Sequence, residues 1–402
     1  RMRQRPPRYR MLAAFFATVT PLLFLVPAAS AQLRGGSQAL DQPPVTTSDV
    51  EAMARIAELS ESQREAVRGM VEVTLAEFEA SLERFNEVQE GFREDMRERR
   101  GDPELMVTLL EKVTEFRRYR DGLREDLFEE IEQLVLREEQ LERWPAFERH
   151  HRRQRIDEID TGAVSGGSVD LIALVEDLEL GAELEENLAG VLDRYAKELD
   201  EVIRRRIEMA DEFSEEQIEV MRENGSNFMA AMPTYERMFE EAREQVLRAR
   251  AITERYQRLV AQALEGAAQR EFVEAFNEEF VPRVYASSRA ERVMEQAAGL
   301  ESLSEEQTAQ LAELRERYER EARPINERWA EALLEHEAES MTMMESFGPG
   351  GVQNEAVVEA SRARRDLDDR YIDRVRALLS EEQLSELPEP PSSNWRDATF
   401  GG

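Results

Sequence analysis

The chain has 402 residues, a formal net charge of −33 and no cysteine. This acidity argues against nucleic acid and anionic membrane surfaces as partners, and the lack of thiols excludes disulfides, a cysteine nucleophile and a thiolate metal site. Charged residues make up 35% of the chain and aromatic residues 7%, a composition typical of long helices and coiled coils.

The N-terminal segment has the layout of a secretory signal. Five arginines precede an apolar run over residues 12–26, and Ala29-Ser30-Ala31 fits the small-x-small rule, which predicts cleavage after Ala31. The alternative is an uncleaved membrane anchor, but the run is short for a bilayer span, contains Pro21 and is followed by Pro27. We therefore expect an exported protein in the periplasm, without stable membrane insertion after cleavage.

Composition and helical periodicity divide the chain into seven consecutive segments. They are a signal peptide (1–31), a flexible arm (32–50), a first helical repeat (51–160), a glycine-containing linker (161–168), a second and diverged helical repeat (169–287), a third helical repeat (288–387) and a disordered tail (388–402).

The apolar pattern of the first repeat predicts a helical hairpin. Residues spaced three, four or seven apart form one apolar face, namely Leu75, Phe78, Leu82, Phe85, Phe92 and Met96. Asp102-Pro103 then restarts the chain as an N-cap followed by proline in the first helical turn. A connection this short favours antiparallel packing. The predicted fold class is all-α, with tandem antiparallel hairpins in a coiled-coil-like bundle.

The pattern Leu-Ser-x-x-Gln occurs three times where a helix is predicted to begin. Its serine and glutamine pairs are Ser60 and Gln63, Ser304 and Gln307, and Ser380 and Gln383. In such a capping box the serine hydroxyl accepts from the backbone N–H three residues later, and the glutamine side chain reaches back to the serine N–H. The motif therefore predicts structural caps.

The spacing of these boxes favours an internal repeat. Gln63 is followed by a second Glu-Gln at Gln140, 77 residues later, and Gln307 is followed by Gln383, 76 residues later. In the middle block, Leu180 would take the place of Leu59, and Gln269 that of Gln140. About three repeats follow from this register. The alternative is that any heptad-rich chain aligns with itself.

These motifs, in an exported helical chain, resemble the LTxxQ-motif family, which includes periplasmic proteins of the Spy and CpxP type. Serine stands where that family usually has threonine, a change that keeps the cap. The resemblance implies a helical hairpin fold and a role as chaperone, envelope-stress regulator or metal sensor.

Residues with metal-binding or catalytic chemistry are few. His336, Glu339 and Met343 share a helical face and are weak candidates for copper or nickel ligands. The favoured interpretation is that the methionines are flexible core filler before the glycine loop. His150 and His151 lie in a basic run over residues 149–155, which we expect to be a solvated helix end. The alternatives are that it neutralises local acidic surface or binds an anion. We expect no cofactor and no enzymatic activity.

The sequence thus predicts a periplasmic helical-repeat binding protein, similar to Spy/CpxP-type chaperones or envelope-stress adaptors. Its expected partners are unfolded clients or other proteins. A coiled-coil scaffold of the cell envelope is one alternative, and a metal sensor or buffer is another. Homo-oligomer formation stays open.

Overall fold

A computed structural model describes residues 40–99, 102–156, 164–178, 180–225, 227–339, 341–342 and 354–387. In these ranges the chain forms helices and no strand, so the predicted all-α class is confirmed. No helix within them is long and apolar enough to cross a membrane. The predicted signal peptide, the C-terminal tail and Met343 lie outside the described residues.

The chain divides into two compact units, residues 1–269 and 270–402. The first unit contains nine helices in its described part, the ninth of which crosses the division. They are α1 (Thr47–Ile56), α2 (Glu61–Glu98), α3 (Pro103–Leu134), α4 (Glu138–Leu141), α5 (Trp144–Gln154), α6 (Leu171–Asp177), α7 (Ala182–Asn224), α8 (Phe228–Ala263) and α9 (Gly266–Phe280).

Two long hairpins build the first unit. Helix α2 packs against α3, and α7 packs extensively against α8. Helix α7 also packs against α3 and α5, so it joins the hairpins. The main core cluster lies where α1, α2, α3 and α5 meet, and we name it the base cluster. Its buried residues are Val45, Val50, Ala52, Met53, Val67, Val71, Leu127, Phe128, Ile131, Trp144 and Phe147.

Local sequence explains where these helices begin and end. Asp102 caps α3, its carboxylate accepting from the Glu104 N–H at 3.1 Å, with Pro103 as the first helical residue. Helix α7 ends at Asn224, where Gly225 takes a positive φ of 56° that favours glycine. Pro233 lies inside α8, and that helix continues through it.

The second unit is a further hairpin with short helices at its ends. Its helices after the division are α10 (Pro282–Tyr285), α11 (Arg289–Ala298), α12 (Glu305–Glu339), α13 (Glu355–Leu378) and α14 (Glu381–Glu386). Helix α12 packs against α13, and α11 packs on both. Their core includes Leu311, Tyr318, Leu367, Tyr371 and Val375.

The structure corrects three of the predicted segment boundaries. The described part of the flexible arm is packed, because Leu40 and Val45 are buried. Residues 164–168 of the proposed linker lie inside the first unit, where Val164 is buried and the Gly167 carbonyl accepts from Arg206 at 3.1 Å. The boundary near residue 287 moves to 269, since α10 packs on α12.

Candidate functional site

The repeated Ser-x-x-Gln motif forms capping boxes at the starts of three helices. Gln63 Oε1 accepts from the Ser60 N–H at 2.9 Å, and the Gln63 N–H donates to Ser60 Oγ at 3.4 Å. The same reciprocal bonds join Ser304 to Gln307 at 3.0 and 3.2 Å, and Ser380 to Gln383 at 2.9 and 3.2 Å. At α4, which lacks a serine cap, Gln140 Oε1 still accepts from the Arg137 N–H at 3.0 Å.

In the first unit, the glutamines of two boxes bond to each other. Gln63 Nε2 donates to Gln140 Oε1 at 2.7 Å, and Gln140 Nε2 donates back to Gln63 Oε1 at 3.2 Å. Each amide also donates to a backbone carbonyl beside the other box: Gln63 to Val135 at 2.7 Å, and Gln140 to Glu58 at 3.0 Å. We call this arrangement the first clasp. It ties the start of α2 to the end of α3.

The second unit contains the same arrangement, the second clasp. Gln307 Nε2 donates to Gln383 Oε1 at 2.9 Å and Gln383 Nε2 to Gln307 Oε1 at 3.3 Å. The carbonyl partners are Leu378 and Ser302, each at 2.9 Å. In both clasps the accepting carbonyl lies two residues before the cap of the opposite box, so each clasp has a local twofold symmetry.

Burial makes these amides important for the stability of the fold. Gln63, Gln140 and Gln383 are 8%, 6% and 6% exposed, and Gln307 is half-buried. Buried amides are costly unless their donors and acceptors are bonded. The clasps bond both, and they satisfy carbonyls that helix ends leave without a helical partner.

The middle block has no clasp between the positions that the repeat register predicted. Gly181 caps α7 without a side-chain bond, and Gln269 is exposed, its amide donating to the Ala261 carbonyl at 2.6 Å. A related run in this block, Phe213-Ser214-Glu215-Glu216-Gln217, is not a cap either. It lies within α7, where the Ser214 hydroxyl donates to the Ala210 carbonyl at 2.7 Å.

Two tyrosines that the register places at the same repeat position, one 15 residues after Leu180 and the other 15 residues after Leu303, have similar surroundings. Tyr195 on α7 and Tyr318 on α12 are both fully buried. Each hydroxyl lies at the start of the short helix that precedes its own helix. The Tyr195 hydroxyl donates to the Val169 carbonyl at 3.0 Å, and the Tyr318 hydroxyl lies 2.6 Å from Ser288 Oγ. The repeat relationship itself stays a prediction.

Tyr318 belongs to a buried polar group in the second unit. Its hydroxyl contacts Asp368 Oδ1 at 2.5 Å, and Arg364 Nε donates to both residues at 3.0 and 3.2 Å. Burial raises the pKa values of Tyr318 and Asp368, while Arg364 acts in the opposite direction on both. These groups satisfy one another across the hairpin, which is a structural role.

The basic run at the end of α5 differs from the expected solvated helix end. His151 and Arg153 are 2% and 5% exposed. Arg152 pairs with Asp200 at 2.8 Å and Arg153 with Asp170 at 2.6 Å, so this run does neutralise acidic side chains. Sequence reasoning missed the burial because a row of arginines usually indicates solvent exposure.

The weak metal candidates do not form a site among the described residues. His336 is buried and lies 3.5 Å from the Asn354 amide nitrogen, whereas Glu339 is exposed. No group of three or more His, Cys, Asp or Glu side chains placed to hold a metal ion occurs in the described part of the chain.

The functional residue that sequence reasoning missed is Gln140, as the partner of Gln63. In the sequence Gln140 marks only the repeat spacing, and the near-identical intervals of 77 and 76 residues are the signal that points to its contact with Gln63. In comparisons with known proteins, no family model, no curated protein and no solved structure matches this chain.

Proposed function

We propose that this chain is an exported helical-repeat protein that binds unfolded or partner proteins, similar in role to Spy/CpxP-type chaperones or envelope-stress adaptors. The observation that carries the proposal is the pair of clasps. The family resemblance depends on the motif glutamines. In both units these glutamines form the hydrogen bonds that join the start of the first helix of a hairpin to the end of its second helix.

Incompletely buried apolar surface on the first hairpin supports a binding role. After Phe85, no residue of α2 is buried, although Phe92 and Met96 continue its apolar face and are only half-buried. Val88, in the same stretch, is 42% exposed. Apolar side chains that a fold leaves partly open supply contact area for an unfolded chain.

The surrounding charge defines which proteins this surface favours. The chain carries 86 acidic and 53 basic residues. Opposite charge accelerates association and like charge suppresses it, so basic or weakly charged clients are favoured over acidic ones.

The proposed periplasmic location rests on the signal-like segment at the N-terminus. N-terminal sequencing of the protein isolated from cells that export it tests this location, because cleavage after Ala31 makes Gln32 the first residue.

An aggregation assay with a chemically denatured basic client tests the proposed activity. We expect the mature chain in excess to reduce light scattering, and the double variant Phe92→Ser, Met96→Ser to reduce it less. Met229→Ser is the matched control, because it removes a 75% exposed methionine from another helix. Equal aggregation with and without the chain would contradict the proposal, and a rod-like solution scattering profile would then favour the scaffold alternative.

A further inference from the structure

Residues 40–46, which we call the strap, cross the first hairpin before α1 begins. Leu40 is 6% exposed and packs in a cluster with Phe78, Phe85 and Phe116, between α2 and α3. Five residues later, Val45 is fully buried in the base cluster. The strap therefore inserts one aliphatic side chain into each of two apolar clusters of one hairpin.

Side chains of the α5 end hold the middle of the strap through its carbonyls. Arg155 Nη1 donates to the carbonyls of Pro43 and Pro44 at 2.8 and 3.0 Å, and His151 Nε2 lies 3.2 Å from the Pro44 carbonyl. Proline has no backbone N–H to donate. These contacts are to backbone carbonyls, which every polypeptide segment carries.

The site filled by Leu40 is an aromatic groove with an acidic edge. The Phe85 and Phe116 rings stack at 4.3 Å, and Phe78 lies 6.2 Å from Phe116. Leu82 belongs to the groove and also lines a surface depression of about 400 Å³. The other lining residues of that depression are Glu79, Glu83, Asn86, Glu87 and Glu90.

We propose that this groove is a docking site for an extended polypeptide segment that carries an aliphatic residue next to basic residues, and that Leu40 is its displaceable internal occupant. The proposal rests on the proposed binding function and specifies its site and the chemistry of its partner. Binding then requires the strap to leave the groove, so the strap is an autoinhibitory contact.

Charge complementarity explains why such a segment displaces the strap. The strap places the exposed, negatively charged Asp41 directly after Leu40, beside a groove whose edge carries four glutamates. A segment with leucine flanked by arginine fills the same aromatic groove and replaces this like-charge proximity with attraction. A partner must displace the buried Leu40 side chain before it can bind the groove. This competition within the chain weakens the partner's apparent affinity roughly ten- to a hundredfold.

Thiol labelling in the full mature chain measures the displacement, because the natural sequence contains no cysteine. In Leu40→Cys the single thiol reports on the groove, and in Gln42→Cys it reports on an exposed position of the same strap. The probe is a synthetic twelve-residue peptide of alternating Leu, Arg and Ser. Without peptide, we expect the thiol of Leu40→Cys to react at least about tenfold more slowly than that of Gln42→Cys. Saturating peptide is expected to bring the two rates together.

A second variant tests the competition directly. Leu40→Ser vacates the groove but keeps the proline carbonyls, and fluorescence anisotropy is expected to show about tenfold tighter peptide binding than in the natural chain. Peptides with Glu in place of Arg, or Ser in place of Leu, are expected to bind neither protein. The quadruple variant with Gln at positions 79, 83, 87 and 90 is expected to weaken binding of the basic peptide.

Three results would overturn the inference. They are fast labelling of Leu40→Cys without peptide, peptide binding that leaves the labelling rate unchanged, and equal peptide affinity of Leu40→Ser and the natural chain. The client aggregation assay decides the proposed function separately. A chain that prevents aggregation without moving the strap refutes the groove alone, and a chain whose strap moves without preventing aggregation refutes the chaperone role alone.

Discussion

The clasp glutamines concentrate several hydrogen bonds in two buried side chains. Gln63→Ala removes the five hydrogen bonds of that side chain, so the Val135 carbonyl loses its clasp partner and the Gln140 amide keeps only its bonds to Arg137 and Glu58. We expect the free energy of unfolding of the first unit to fall by about 3 kcal/mol, because an unbonded buried polar group costs about 1–3 kcal/mol. Urea denaturation followed by circular dichroism measures this loss.

Gln269→Ala is the matched control for that substitution. Its amide also bonds to a carbonyl, but the residue is exposed, so we expect a change of about 0.5 kcal/mol or less. A double-mutant cycle of Gln63→Ala and Gln140→Ala isolates the contact between the amides. Equal losses for Gln63→Ala and the control would show that the clasp does not stabilise the hairpin.

The sequence predicted half of each clasp. A capping box is local, so Ser60 and Gln63 identified it from a spacing of three residues. The box uses the glutamine oxygen, whereas the Nε2 donors bond to groups 71 to 82 residues away. Those partners depend on how two helix ends meet in space, which no local pattern encodes.

Glu58 is the one non-glycine residue with positive φ in the described part of the chain, at 51°. It follows the C-terminus of α1 and presents its carbonyl to the first clasp. A left-handed conformation costs an L-residue about 1–2 kcal/mol, and glycine avoids much of this cost. We therefore expect Glu58→Gly to raise the free energy of unfolding by up to about 1 kcal/mol.

Glu58→Ala is the control for that change. It also removes the exposed ion pair with Arg143 but keeps the backbone strain, so we expect it to be neutral or slightly destabilising. Thermal unfolding of the three proteins side by side measures the difference. If alanine stabilises as much as glycine, the left-handed backbone is not the cause.

At the scale of elements, the strap and α5 show where composition misled. Residues 32–50 appeared flexible because Gly and Pro are common there, yet Leu40 and Val45 anchor the chain and Arg155 bonds the proline carbonyls. Two buried aliphatic residues in an irregular segment have no periodicity, so pattern analysis does not detect them. Periodic elements such as α2 and α3 were predicted well, because their apolar faces repeat over many turns.

The packing of α5 against the strap also predicts a pH dependence. Burial lowers the pKa of His151 to about 3, with the positive charges of Arg155 and Arg124 adding to the effect. Burial and Arg153 lower the pKa of His150 to about 4. Both values lie below the unfolded value of about 6.5, so unfolding takes up protons. The stabilisation is fully present above about pH 6.5 and is lost as the pH falls toward the folded values.

Each such histidine contributes a slope of about 1.4 kcal/mol per pH unit in that window. Urea denaturation at pH 7, 6 and 5 is expected to show falling stability, and His151→Gln is expected to flatten the fall although it lowers stability at pH 7. Measurements at pH 7 and 8 serve as the control, because neither histidine titrates there. A variant with the same slope as the natural chain between pH 6.5 and 5 would contradict the role of His151.

At the scale of the molecule, each unit has its own core and its own clasp. The base cluster and the first clasp belong to residues 1–269, and the core around Tyr318 and the second clasp belong to residues 270–402. The sequence predicted three blocks from helical periodicity, the glycine-containing linker and the spacing of the capping boxes. It did not predict that α7 would pack on α3 and α5, which places the first two hairpins in one unit.

This organisation predicts that the two clasps act on different unfolding transitions. Cooperative unfolding follows shared packing, so each core unfolds as a separate event when heated. In calorimetry of the full chain, we expect Gln63→Ala to lower the Tm of one transition by several degrees and Gln307→Ala to lower that of the other. The double variant is expected to show both shifts at their single-variant sizes, since sites without shared partners are additive. A single transition that both substitutions move would mean that the two units unfold as one, and that a clasp in either unit stabilises the whole chain.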